Sequence, residues 1–185
     1  QKGIKWVFIG AVDNALLNMV DPILLGLTVC DGNQIGSKSV VKRSPEEPVG
    51  VFCKRNGKPG VIEYTELPTE MAHEVDEEGE LLFGESHIMC NLYSFEALEK
   101  ISKERLPYHS AHKKAPYMNE KGEFIKVKEP NAYKYEAFIF DGFAYFDNIS
   151  ILRGRRNEDF APVKNAEGPD SPETAVELYN NYWKV

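Results

Sequence analysis

Cysteine is scarce and unpatterned in this sequence: Cys30, Cys53 and Cys90 stand far apart, with no CxxC pair. Such a sparse, odd set speaks against a disulfide framework and for reduced thiols, as expected of a cytoplasmic protein. Long apolar runs are missing as well. No stretch approaches the roughly 18 residues that a membrane-spanning helix needs, so no membrane partner is expected. Basic charge is in deficit: 22 Lys and Arg stand against 29 Asp and Glu, a formal charge of −7. Duplex nucleic acid demands a basic face, so no nucleic-acid partner is expected either. Anionic small ligands stay open, because a few placed cations suffice for them. There is no G-x-S-x-G elbow, which leaves nucleophilic catalysis unsupported. There is no Walker loop and no G-x-G-x-x-G, so these residues carry no complete phosphate cradle of their own. The sequence opens on Gln1, not Met, and runs into a strand-like segment without the pattern of a secretory leader. Opening in mid-strand is expected of a piece of a longer protein, and engineered or processed chains begin this way too.

What is present is a globular composition. The 185 residues are 42% hydrophobic and 11% aromatic, enough for one domain with a sizeable core. Residues 4–10 form a nearly continuous apolar run, the pattern of a strand buried on both faces. The run leads into Ala11-Val12-Asp13-Asn14. An Asp at the C-terminal end of a buried strand stands where open α/β sheets place ligand groups. It serves equally well as the N-cap of a short helix over residues 15–19, which Asp21-Pro22 would break. Residues 23–30 fit a strand or a buried helix, and residues 32–48 read as polar loop. Residues 49–54 and 61–66 flank an Asn56-Gly57 turn and predict a hairpin. Residues 69–80 predict an acidic helix and an exposed turn, and residues 81–83 and 87–93 predict strand pieces. Ser94 predicts a capped helix through Arg105. Asn119-Glu120-Lys121-Gly122 predicts a second short hairpin. Tyr135, Ile139, Phe143 and Phe146 recur at helical spacing and predict an amphipathic helix over 133–146. Residues 149–152 predict a strand and 159–168 a loop. A last helix starts near Ser171 and buries Ala175, Leu178, Tyr179, Tyr182 and Trp183. Alternating strands and helices with interspersed hairpins make the fold α/β with a mixed sheet.

Residue by residue, the chemistry is thin. His109 and His112 stand three apart, but no carboxylate joins them at motif spacing and Lys113-Lys114 would repel a cation. Ordinary histidines are expected there, not zinc ligands. Lys164, in a loop after a strand and a basic turn, is a compact charge suited to phosphate; taken on its own, the favoured reading is a solvated surface lysine. Glu63 and Tyr64 alternate to opposite faces. A carboxylate beside aromatics suits sugar hydroxyls and is as common on any sheet surface.

The order of segments says more. Val12-Asp13-Asn14, Val20-Asp21-Pro22, Glu47-Pro48-Val49-Gly50-Val51 and Val61-Ile62-Glu63-Tyr64-Thr65-Glu66 follow one another. Then come Gly79-Glu80-Leu81-Leu82-Phe83, His112-Lys113-Lys114-Ala115-Pro116-Tyr117, Lys134-Tyr135-Glu136-Ala137-Phe138-Ile139-Phe140-Asp141 and Glu158-Asp159-Phe160-Ala161-Pro162-Val163-Lys164-Asn165-Ala166. This succession resembles the second half of the UDP-sugar pyrophosphorylases, UTP-dependent uridylyltransferases, and above all their UDP-N-acetylglucosamine branch. The resemblance covers nearly the whole chain. It implies a three-layer α/β/α mixed sheet of the nucleotide-diphospho-sugar transferase (GT-A-like) type with inserted β-hairpins. Residues 1–185 would be the C-terminal portion of that catalytic domain. The implied activity is transfer of UMP from UTP to a sugar 1-phosphate, giving a UDP-sugar and pyrophosphate, with Mg²⁺. By position, Asp13 would hold the metal and UTP phosphates, Glu63 and Tyr64 the sugar, Lys134 a UTP phosphate, and Lys164 the sugar phosphate. In-line attack on the α-phosphorus needs cations and alignment, not a protein nucleophile.

The sequence departs from the family twice. His87 stands where the branch has the sugar-binding Asn of a Gly-Asn-Ile segment, with Cys90-Asn91 close behind, so His87 and Asn91 join the candidate sugar ligands. The family's glycine-rich nucleotide loop lies in its N-terminal half, outside these residues. The rest of the catalytic domain is therefore an expected partner, and the isolated chain is expected to be inactive. The rival expectation is a non-catalytic module that binds a sugar nucleotide or a protein partner without Mg²⁺.

Overall fold

In a computed structural model, which describes residues 2–184, the first half of the chain forms β1 (Trp6–Gly10), α1 (Pro22–Cys30), β2 (Ile35–Val41), β3 (Val51–Arg55), β4 (Lys58–Ile62), α2 (Thr69–Ala72) and β5 (Glu85–Ser94). The second half adds α3 (Phe95–Ile101), β6 (His109–Lys113), β7 (Tyr117–Met118), β8 (Phe124–Ile125), β9 (Ala132–Glu136), a 3₁₀ segment (Ile139–Tyr145), β10 (Ser150–Arg153), α4 (Arg156–Asp159) and α5 (Pro172–Trp183). The ten-residue β5 organises a six-stranded sheet, five strands in the order β10-β2-β5-β3-β4 and the sixth, β1, also paired with β5. β2 runs antiparallel along one edge of β5. The other edge is divided: β3 meets it at Ser86, and β1 from Cys90 to Ser94. Only β10 is parallel to its neighbour, β2. The sheet is mixed, as the alternating pattern implies.

The pleat sorts β5 into two faces. Ile88 and Cys90 pack with Val40, Phe160 and Leu17. Tyr93 points the other way, into a cluster with Phe52, Ala97, Ile101, Phe140 and Phe143. α1 packs against β2 and β10. α3 and the 3₁₀ segment meet in the second cluster so tightly that a Cβ on Gly142 would stand 2.7 Å from Ile101 Cδ1. No helix among the described residues is long and apolar enough to cross a membrane.

Where turn chemistry is explicit, sequence and structure agree. Asn56 (φ 53°) and Gly57 (φ 78°) close the β3–β4 hairpin in the left-handed region they tolerate. β7 and β8 form the second hairpin. Ser94 Oγ accepts from Ala97 N at 3.0 Å to start α3, and Ser171 caps α5 with Pro172 in its first turn.

The structure corrects several expectations. β1 is half-buried along its length, not buried on both faces, because only β5 pairs with it. Residues 15–19 form turns, not a helix. Asp21-Pro22 starts a helix instead of ending one: Asp21 Oδ1 accepts from Ile23 N (2.8 Å) and Leu24 N (3.3 Å), which makes residues 22–30 helical. The supposed loop over 32–48 contains β2, which is buried except at Val41. Its polar side chains are all answered: Ser37 donates to Asn91 Oδ1, Ser39 to Glu85 Oε2, and Lys38 to carboxylates. The helix expected over 133–146 is β9 followed by the 3₁₀ segment, because β9 pairs in register with β6. β4 ends at Ile62, α2 is a single turn, and α3 ends at Ile101. On α5, Ala175 is buried, but Tyr179, Tyr182 and Trp183 are exposed.

Candidate functional site

β1 carries the chain to one end of the sheet and releases it at Asp13-Asn14. Asn14, 6% exposed, then ties this turn to the loop after α4. Its Nδ2 donates to Asp159 O (2.8 Å), and its Oδ1 accepts from Ala161 N (2.8 Å) and Leu16 N (3.2 Å). The backbones add Ala15 N to Ala161 O (3.0 Å) and Val163 N to Asp13 O (2.8 Å). Residues 145–150 apart in sequence are thereby held as neighbours, and Lys164 follows the residue bonded to Asp13. Neither the Asp13 carboxylate nor the Lys164 ammonium enters an ion pair among the described residues. Lys164 Nζ stands 6.0 Å from the centroid of the Phe160 ring.

Beneath this loop pair lies the ion triad of Lys38. Its ammonium reaches Asp21 Oδ2 at 2.6 Å and Asp159 Oδ1 at 2.5 Å, with side-chain exposures of 5%, 8% and 14%. Burial disfavours the charged lysine, but hydrogen bonds to the two carboxylates outweigh it and raise its pKa.

Glu63 follows β4 and is half-buried. Its Oε1 comes so close over Gly50 that a Cβ there would stand 3.0 Å away, which favours glycine at position 50. Burial raises the Glu63 pKa; His109 and Lys164 lower it, while Glu66 and Asp141 raise it. The charge of Lys164 thus bears on Glu63. Tyr64 is exposed.

His109 is the residue least foreseen. Its Nδ1 lies 2.8 Å from Glu66 Oε1 and its Nε2 3.0 Å from Asp141 Oδ2, with the ring against Phe138 at 5.0 Å. His112 stacks on Tyr133 instead. The two histidines do not converge, and no cluster of three metal-ligating side chains occurs among the described residues.

His87 and Asn91 lie in the interior. His87 Nε2–H donates to Asn91 Oδ1 at 3.0 Å, and Phe52 and Phe140 meet the ring at 5.1 and 4.9 Å. The His87 backbone N donates to Gly50 O at 2.8 Å, so the pair sits under the corner that Glu63 covers. Burial lowers the His87 pKa to about 4, against the opposing effect of the hydrogen bond that the ring donates to Asn91. The unfolded chain takes up this proton near 6.5 and the folded chain does not until about pH 4. Stability from this group is therefore full above pH 6.5 and lost as pH falls toward 4. The loss is expected to reach about 3 kcal/mol, at roughly 1.4 kcal/mol per pKa unit. Urea midpoints of wild type and His87→Gln across that window measure it: the variant should lack this part of the acid slope.

Lys134 stands apart. It lies on the exposed β6–β9 ribbon, paired with Glu136 at 2.8 Å. The structure therefore ties Asp13 to the segment that carries Lys164, sets Glu63 over Gly50 with His87 and Asn91 in the core below, and leaves Lys134 on the ribbon. Sequence reasoning missed Asn14, Gly50 and Asp141. Asn14 had only its place beside Asp13 as a signal.

Asp13 and Lys164 thus offer a carboxylate and an ammonium outside any ion pair among the described residues, and Glu63 a half-buried carboxylate: groups for a cation, a phosphate and a hydroxyl. The family model described as UTP--glucose-1-phosphate uridylyltransferase matches residues 1–169. The chain belongs to this uridylyltransferase family. UDP-N-acetylglucosamine pyrophosphorylase of Saccharomyces cerevisiae is 37% identical over 187 residues, 97% of this chain and 39% of that protein. UDP-N-acetylhexosamine pyrophosphorylase-like protein 1 of Homo sapiens is 39% identical over 180 residues, 95% of this chain and 36% of that protein. The crystal structure of the uridine diphosphate N-acetylglucosamine pyrophosphorylase from Trypanosoma brucei, in complex with inhibitor, superposes with a TM-score of 0.79 at 36% identity. It covers 95% of this chain and 35% of that one. The chain thus spans well under half the length of these uridylyltransferase-family relatives.

Proposed function

We propose that the protein carrying this chain is a UTP-dependent uridylyltransferase. It transfers UMP to a sugar 1-phosphate and releases pyrophosphate. Residues 1–185 are the C-terminal portion of its catalytic domain, in a three-layer, GT-A-like sheet, and the rest of that domain supplies the nucleotide loop. The observation that carries this is the bond from Val163 N to Asp13 O, which keeps a carboxylate and an ammonium, each unpaired among the described residues, on adjoining stretches of chain. Free thiols at Cys30, Cys53 and Cys90 fit a cytoplasmic protein.

The donor set suits Mg²⁺. Mg²⁺ is commonly bound by one or two carboxylates together with substrate phosphates, and Asp13 offers one carboxylate unclaimed by a lysine. When bound there, the ion would neutralise charge on the UTP phosphates. Lys164 binds the phosphate of the sugar and holds its oxygen for attack on the α-phosphorus; the new P–O bond forms as the bond to pyrophosphate breaks. Lys134 meets a UTP phosphate. Its exposed pair with Glu136 is worth at most about 1 kcal/mol and yields readily to a polyphosphate. Glu63 accepts from sugar hydroxyls beside Tyr64. His87 and Asn91 shape the floor of the sugar site through Gly50.

The test is pyrophosphate release by the full-length protein with UTP, Mg²⁺ and the 1-phosphates of glucose, galactose, N-acetylglucosamine and N-acetylgalactosamine. Release with at least one sugar is expected. A folded protein that binds a UDP-sugar and releases none with any of them contradicts the proposal.

A further inference from the structure

We propose that His109 is a positioning residue for sugar recognition: its two ring nitrogens lock the turn that carries Glu63 and Tyr64 to the 3₁₀ segment that carries Asp141. The inference rests on the uridylyltransferase reading, since it takes Glu63 as a sugar ligand.

The turn is rigid on one side already. Glu66 N and Leu67 N both donate to Glu63 O, at 2.9 and 3.0 Å, so whatever fixes Glu66 fixes the backbone of Glu63. What fixes Glu66 is His109 Nδ1 at 2.8 Å; what fixes His109 is Asp141 Oδ2 on Nε2 at 3.0 Å. Asp141 is anchored in turn by the packed 3₁₀ segment, where Phe140 and Phe143 are buried. The Phe138 ring holds the imidazole from one side and stacks on Phe140 at 4.8 Å.

Ionised carboxylates only accept hydrogen bonds, and a neutral imidazole has a single N–H. Both bonds form together only when the cluster holds one more proton, as in imidazolium. The groups around it favour that proton. Glu66 and Asp141 bond the ring and the charge of Glu63 bears on it; Glu136, opposite His109 in register, is answered by Lys134. Lys164 bears on Glu63, and the buried Tyr93 hydroxyl feels Asp141. Burial opposes charge on His109, but the two carboxylates outweigh it and raise its pKa above the usual 6.5. The sign follows: the lock is complete at pH 6 and is lost as pH rises through the raised value. A neutral ring then turns a lone pair toward one carboxylate, and the turn loosens.

The experiment measures KM for the sugar 1-phosphate and for UTP from pH 6 to 9 in the full-length protein. Wild type is expected to show a sugar KM that climbs with pH while the UTP KM stays level. His109→Gln, whose two N–H groups share one nitrogen and which does not titrate, cannot replace the two separate ring donors; it should raise the sugar KM about tenfold at pH 6.5 and flatten its pH dependence. Glu66→Gln, at an exposed position, should move the wild-type inflection to lower pH by removing one charge that favours the imidazolium. If His109→Gln fails to fold, Glu66→Gln decides. A sugar KM level with pH in wild type, or one unmoved by both variants, overturns the inference alone. A folded wild type inactive with every sugar 1-phosphate overturns the uridylyltransferase reading and this inference with it.

Discussion

Lys164→Ala in the full-length protein is expected to lower turnover by about 10²–10³-fold, the loss typical when one preorganised charge-stabilising group is removed. The side chain is exposed and unpaired among the described residues, so folding should be indifferent to it. The same urea midpoint with a collapsed initial rate is the expected pair of observations. Asp13→Ala should behave alike. Because the Val163–Asp13 bond holds the two residues as a unit, the double variant should lose much less than the product of the single losses. Initial rates of pyrophosphate release decide this. A Lys164→Ala rate within a few-fold of wild type would remove Lys164 from the reaction.

Lys38→Ala carries the largest expected effect on folding. Its ammonium is buried against Asp21 and Asp159, and removing it leaves two carboxylates uncompensated. Breaking a buried pair in this way costs about 3–5 kcal/mol, a large fraction of the 5–15 kcal/mol that holds a domain together. The damage would spread. Asp21 caps α1, and Asp159 Oδ2 accepts from Arg155 N at 3.2 Å while its carbonyl receives the Asn14 amide. Loosening Asp159 therefore loosens the clamp that presents Asp13. Urea midpoints measure the loss. Lys38→Met combined with Asp21→Asn and Asp159→Asn should recover much of it, since no buried charge is then left unanswered. If Lys38→Ala alone kept the wild-type midpoint, the triad would hold nothing together.

The same triad explains why β2 was illegible in the sequence. Gly36, Ser37, Lys38 and Ser39 read as loop by hydropathy, yet each polar side chain among them has a partner far along the chain. A buried strand made of satisfied polar groups has no apolar signature. The segment over 133–146 failed for another reason. Aromatics spaced three and four apart fit a helix as well as they fit a strand running into a 3₁₀ turn, and the pairing of β9 with β6 decided between them. Turns and caps were legible because Asn56-Gly57, Ser94 and Ser171-Pro172 act locally. At the site, the order of segments pointed to Asp13, Glu63 and Lys164. Asn14 and His109 stayed hidden, since their roles depend on partners 145, 43 and 32 residues away.

The most direct test follows the α-phosphorus itself. The full-length protein is given UTP labelled at that phosphorus, Mg²⁺ and a sugar 1-phosphate, and the products are separated. The account predicts label in a UDP-sugar, unlabelled pyrophosphate in equal amount, and neither product without the sugar 1-phosphate. Label that stays in UTP, in a folded protein that still binds a UDP-sugar, would contradict it.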